Sequence, residues 1–443
     1  MRYRESMFNA FTTSGDKTLL YNSLEGMSSL AVIDSTKLKS IIKNVRMFGK
    51  DDSQEFEKLL EKHYFCMEET DEHMLTEVRY MDVVEENVLR LIILPTEKCN
   101  FRCLYCYEEF KIGKMSMELQ EDIIDYVRKN IMNFSGVDIR WFGGEPLMAL
   151  DVIENISYKI IEMCNRTKRR YTASIITNAY LLSRNTYERL IKCHVWLFQI
   201  TVDGLKDSHD VYRPLYNGEG TFEKIMYNLK EIHDHDKFRY SRFTIRCNFT
   251  AKSAANVLYY IEYMKKIFGE DERFCFMLER ASDWGGERVR QIEEQLLSNE
   301  EYGAMLQQIS KYNIKINLLP HCALMDADSC VCYANKRHSY IVGANGKIYK
   351  CSGDFTFEEN NIGYLAHGEM IIDRNKESLW LNRKARNLSK CQQCFFEGAC
   401  LSACCPASFI KGTLGDANSL CLYEKEYISD FLKIIPDKFF TNI

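Results

Sequence analysis

From residue 89 onward the chain alternates short apolar runs with stretches in which apolar side chains return every three or four positions. The runs at 89–94, 137–142, 171–177, 195–202, 243–250 and 273–279 have strand length and strand composition. Between them, 117–134, 152–164, 186–193, 222–233 and 255–268 carry a helical period. Six βα units in succession predict parallel strands buried by helices, with functional residues at the C-terminal ends of the strands. Residues 1–85 read differently: strand-like runs at 18–23 and 28–33 precede helical stretches at 36–44 and 53–63. That order is an α+β module too small to hold the main active site. A connecting helix is predicted over 291–312, within a link that runs to residue 318.

Composition narrows the setting. A chain of 443 residues is too long for one core, and its 46% hydrophobic content can fill two or three. Of eighteen cysteines, ten fall between Cys322 and Cys421, so a third region, 319–443, is expected to be built around metal. The opening Met-Arg-Tyr-Arg-Glu-Ser has no apolar signal segment and no apolar run reaches membrane length. A cytoplasmic setting with reduced thiols follows as the expectation. The formal net charge of −5 offers no general attraction to nucleic acid or to an anionic membrane.

Directly after the first predicted strand, Cys99, Cys103 and Cys106 form a Cys-x3-Cys-x2-Cys loop. Three thiolates can hold three irons of a 4Fe-4S cube and leave the fourth open, whereas a structural site uses four ligands. Trp-Phe-Gly-Gly-Glu-Pro ends the second strand, where Gly143 and Gly144 let backbone approach a ligand and Glu145 offers a carboxylate to a cationic amine. With Tyr105 before the last cysteine, the chain resembles the radical S-adenosylmethionine (SAM) enzymes. The resemblance implies a partial (β/α)6 barrel over 86–290, with an α/β fold class. It implies that Cys99, Cys103 and Cys106 hold the SAM-cleaving cluster and that Gly143, Gly144 and Glu145 meet the SAM amino group. Thr177-Asn178-Ala179 resembles the family's Thr-Asn-Gly, with alanine where glycine is usual. Asp203, at the end of the fourth strand, and Arg213 match a stretch in which the arginine engages the SAM carboxylate, a role suited to a permanently charged, bidentate guanidinium. His209 receives no proton-transfer role.

The C-terminal cysteines resemble the SPASM pattern of auxiliary-cluster domains: Cys332, Gly346 and Cys351, then Cys391-x2-Cys394-x5-Cys400-x3-Cys404, then Cys421. A hairpin is predicted between 339–342 and 347–350. By this resemblance Cys391, Cys394, Cys400 and Cys421 ligate an outer 4Fe-4S cluster and Cys332, Cys351 and Cys404 an inner one. Cys322 or Cys330 supplies the fourth inner ligand, with Cys322 preferred. Residues 1–85 resemble a leader-peptide recognition module, which binds an extended peptide by strand addition.

Together these likenesses imply three 4Fe-4S clusters, bound SAM, an external one-electron reductant of flavodoxin or ferredoxin type, and a radical that abstracts hydrogen from a precursor peptide carrying a leader. The expected product is a thioether between a cysteine sulfur and a carbon. The alternatives are formylglycine formation, as in sulfatase maturases, or a carbon–carbon crosslink. In the sulfatase group an aspartate follows the second SPASM cysteine, and here Ser352 follows Cys351, with Asp354 nearby.

Overall fold

A computed structural model describes residues 1–235, 238–269, 271–284, 286–312, 325–326, 330–381, 389–403, 405–411 and 427–443. They form two compact units, one of Met1–Glu86, Leu306–Lys336 and Leu381–Ile443, the other of Asn87–Met305 and Arg337–Trp380.

In the first unit, β1 (Tyr3–Glu5), β2 (Asn9–Ser14), β3 (Lys17–Asn22) and β4 (Gly26–Asp34) precede two helices and β5 (Phe65–Met67). Strands β2, β3 and β4 form an antiparallel meander, and β1 pairs with β5. Helix Ser35–Phe48 starts where the Asp34 side chain accepts from the Thr36 and Lys37 amides, and it ends at Gly49, whose φ of 77° no branched side chain would accept readily. Its buried face, Leu38, Ile41 and Val45, packs on Leu20 and Ile33 of the sheet and on Phe56 of the next helix, Gln54–Glu61. Removing large apolar side chains such as these from water stabilises by roughly 1.5–3 kcal/mol each. A further helix, Glu72–Val84, was not predicted, because its apolar residues lie on both sides rather than along one stripe. Strand β2, Asn-Ala-Phe-Thr-Thr-Ser, carries too little apolar alternation to be visible in the sequence.

The same unit includes segments far away in sequence. The C-terminal strand Thr441–Asn442 lies parallel to β4 against Ala31 and Val32. Ser23 Oγ donates to the Phe395 carbonyl at 2.5 Å, and Tyr21 OH to the Met325 carbonyl at 2.8 Å. His73 Nδ1 lies 2.9 Å from Glu397 Oε2. Gly398 packs so tightly on the β3–β4 turn that a Cβ there would sit 2.4 Å from the Leu24 amide nitrogen.

The second unit carries the predicted parallel strands in sequence order: β6 (Val88–Ile93), β7 (Gly136–Trp141), β8 (Arg170–Thr177), β9 (Val195–Thr201), β10 (Arg242–Phe249) and β11 (Phe274–Arg280). Each is parallel to its neighbours, and helices such as Met117–Asn130, Leu150–Thr167 and Phe222–His235 cover one face with buried Ile, Val and Leu. The predicted hairpin forms as β12 (Ser339–Val342) and β13 (Lys347–Tyr349), with Gly346 at φ 81° in the turn. Strand β12 adds parallel to β6, and β14 (Asn361–Ala366) and β15 (Glu369–Ile372) extend the sheet to ten strands. The predicted connecting helix starts late, at Asn299 rather than at residue 291. The Ser298 amide donates to Glu301 and the Glu301 amide to Ser298 Oγ, a capping box that sets the start. The preceding residues Val289–Gln295 form a 3-10 helix instead.

Candidate functional site

All the sequence-predicted SAM contacts lie in the second unit, at the C-terminal ends of β7, β8 and β9, in the loop after β6 and, for Arg213, directly after the helix Lys206–Tyr212 that follows β9. Gly143 and Gly144 pack against that cysteine loop. Gly143 has φ 114°, and a Cβ on it would meet the Thr96 carbonyl oxygen at 2.5 Å; one on Gly144 would meet that of Lys98 at 2.4 Å. The Glu145 amide donates to the Lys98 carbonyl at 2.9 Å, so glycine here serves backbone-to-backbone packing. The Glu145 side chain is 1% exposed. Its Oε1 accepts from Thr177 Oγ1 (2.6 Å) and the Leu147 amide (3.0 Å), and Oε2 accepts from the Asn178 amide (2.8 Å). Burial raises this carboxyl, while the three donors pull it back down. Ala179 takes φ 61°, the left-handed conformation that the family's glycine would adopt without penalty.

Tyr105, Asp203 and Arg213 close into one cluster. Tyr105 OH donates to Asp203 Oδ2, Arg213 Nη1 donates to Tyr105 OH at 2.5 Å, and Arg213 lies 3.7 Å from Asp203. Burial raises Asp203, and the Arg213 charge opposes it. Asn248, at the end of β10, was missed by the sequence analysis. Its amide donates to Asp203 Oδ1 at 2.7 Å, and its Nδ2 reaches Asp203 Oδ1 at 3.2 Å and Tyr105 OH at 3.3 Å. The available signal was positional: a polar residue closing a predicted strand of a parallel barrel. His209 is fully buried. Its Nδ1 accepts from the Asp203 amide, and its Nε2 lies 3.0 Å from Thr221 Oγ1. Desolvation, with Arg213 adding to it, pushes the imidazole down to about 3 and keeps it neutral.

Cys99, Cys103 and Cys106 share this end of the sheet. Burial raises all three thiols, Cys106 to about 12, and the charge of Cys103 raises both of the others. Among the described residues no three His, Cys, Asp or Glu side chains converge closely enough to hold a single metal ion. The fit to an iron–sulfur cube with SAM rests on other features. Cys103 feels the charge of the buried Arg213 guanidinium, whose Nε has no hydrogen-bond partner, and Asn100 Nδ2, beside Cys99 in the chain, is equally without one. Buried donors of this kind call for an acceptor. Glu108, two residues beyond Cys106 and carrying no signal in the sequence, is pushed up to about 8 by burial and then by Glu97.

The auxiliary set is only partly described. Cys330, Cys332, Cys391, Cys394 and Cys400 belong to the first unit, and Cys351 follows β13 in the second. Cys391 and Cys394 are joined by a turn in which the Cys394 amide donates to the Cys391 carbonyl at 3.1 Å. Cys322, Cys404 and Cys421 lie outside the described residues. Among the described residues no helix is long and apolar enough to cross a membrane.

Residues 93–248 match the family model of the Radical SAM superfamily. The serine-type anaerobic sulfatase-maturating enzyme of Bacteroides thetaiotaomicron is 26% identical over 376 residues, which covers 76% of this chain and 87% of that protein. Among solved structures, native anSMEcpe with bound AdoMet aligns with a TM-score of 0.60 at 18% identity, covering 78% of this chain and 95% of that one. Streptococcus suis SuiB bound to precursor peptide SuiA aligns at 0.50 and 15% identity, over 92% and 97% of the two chains.

Proposed function

We propose that this chain, a radical SAM enzyme, matures a ribosomally made precursor peptide by joining a cysteine sulfur to a carbon of another residue. When bound, SAM and the cluster supply the radical chemistry, and the protein's share is binding, orientation and exclusion of water. Cys99, Cys103 and Cys106 hold the cluster. Glu145, fixed by Thr177, Asn178 and Leu147, receives the SAM amino group, and Arg213, braced by Tyr105 and Asp203, receives the carboxylate. The C-terminal cysteines would hold two auxiliary clusters, which would supply electron-accepting capacity, and a flavodoxin- or ferredoxin-type protein would supply electrons in the cytoplasm.

A peptide substrate is supported by the likeness to sulfatase-maturating enzymes and to SuiB, whose structure holds a precursor peptide. The N-terminal strands add to this, as a sheet that an extended leader can lengthen. Its β4 edge is taken at Ala31 and Val32 by Thr441–Asn442, and β2 is the outer strand on the other side.

Formylglycine formation is favoured by the names of the relatives. One observation carries the choice against it: the position after Cys351 holds Ser352, and the nearby Asp354 is engaged in its own turn. Asp354 Oδ1 accepts from the Thr356 amide (2.9 Å), Thr356 Oγ1 (2.7 Å) and the Phe357 amide (3.2 Å). The test is to incubate the reconstituted enzyme with SAM, reductant and the small peptides of the source cells. A product lighter by two hydrogens, with one thiol no longer alkylatable, is expected. An aldehyde trapped by a hydrazide would replace the thioether reading with formylglycine.

A further inference from the structure

Of the four tryptophans, Trp141 and Trp380 are fully buried, whereas Trp284 is 53% exposed. It lies four residues beyond the end of β11, at the end of the sheet that also carries the cysteine loop. The neighbouring backbone is pinned over that loop: Gly286, at φ 94°, would place a Cβ 3.0 Å from Tyr107 Cα and 3.4 Å from the Cys106 carbonyl. Arg288 completes the anchorage, with its guanidinium 4.7 Å from the Phe110 ring centre and a hydrogen bond of 3.3 Å to the Glu108 carbonyl. On its other side the indole meets the loop after β13. A Cβ at Gly353 would be 3.5 Å from Trp284 Cε3, and the Gly353 amide donates to Cys351 Sγ at 3.3 Å. The indole therefore packs on the loop that carries Cys351, its backbone runs two residues on into the segment packed against Cys106, and half of its surface is open. An indole with one face packed and its backbone anchored loses little further entropy when a ligand covers the open face, which is why tryptophan anchors recognition sites.

We propose that Trp284 is a specificity-determining contact, taking an apolar or aromatic side chain of the substrate peptide next to the residue being modified. The proposal rests on the peptide-maturase reading. It gives the open indole an occupant of matching chemistry at the end of the sheet that carries the cysteine loop.

The test uses the precursor peptide identified among the small peptides of the source cells, with its leader kept and the positions beside the modified residue randomised, given to the reconstituted full-length enzyme with SAM and reductant. Modified peptides are sequenced, and their yield is divided by the 5′-deoxyadenosine formed. Wild type should enrich apolar or aromatic residues beside the modified position. W284A should lose that enrichment and couple about tenfold less modification to each SAM cleaved, the scale of a lost aromatic anchor. W284F should restore most of both. Identical enrichment in wild type and W284A would overturn the proposal while leaving peptide maturation standing. SAM cleavage by wild type with no peptide modified at all would overturn the peptide reading, and this proposal with it.

Discussion

His209 stays neutral because both of its ring nitrogens are engaged in a dry site, Nδ1 with the Asp203 amide and Nε2 with Thr221. Unfolded, the same ring takes up a proton near 6.5, whereas in the folded chain it resists protonation until about 3. The unfolded state therefore binds the extra proton between these values. His209's contribution to stability is complete above about pH 6.5 and is lost as the pH falls toward 3, at up to about 1.4 kcal/mol per pH unit. His209→Gln should flatten this acid slope, read as the urea midpoint of the metal-free chain between about pH 7 and 5; an unchanged slope would assign it elsewhere. Arg213→Ala should weaken SAM binding about tenfold or more, the loss of a charge-assisted contact, with iron content retained. Unchanged SAM affinity would mean the pocket is misplaced. The sequence made Arg213 and Glu145 legible because each sits in a motif. Asn248 and Glu108 were not legible, because their importance comes from burial and from neighbours that only folding supplies.

Among elements, the parallel strands were readable because β6 is buried along nearly its whole length while β7, β8, β9 and β10 alternate buried and more exposed positions, and the β12–β13 hairpin because Asn345 and Gly346 mark its turn. Strands β1 and β5 were not, since three residues carry no period. The glycine pair after β7 was found for an incomplete reason: both glycines clear space for the cysteine loop's own backbone. A methyl at residue 144 would overlap the Lys98 carbonyl group, where backbone on both sides cannot yield cheaply. Gly144→Ala should therefore displace the Cys99 loop, and reconstituted iron should drop by about a third while the circular dichroism of the fold persists. Full iron with normal SAM cleavage would show that the loop tolerates the shift.

For the molecule as a whole, the cysteine sets call for about twelve irons per chain after anaerobic reconstitution. A value near four would defeat the auxiliary clusters. Legibility was weakest at this scale, because a sequence read from left to right shows modules in succession. Here Met1–Glu86 shares one compact unit with Leu381–Ile443, through Ser23 on Phe395, Leu24 on Gly398 and the strand Thr441–Asn442 on β4. Deleting residues 1–85 should therefore unfold the last segment too. Its cysteines Cys391, Cys394 and Cys400 should then lose their iron, so the iron content of such a truncation checks the shared unit directly. The same arrangement acts during synthesis. At about 5–20 residues per second, a ribosome needs tens of seconds to add the remaining strand after β4 has emerged. For that interval the Ala31–Val32 edge and its apolar neighbours wait on a nascent chain, open to chaperones and to strands of other polypeptides.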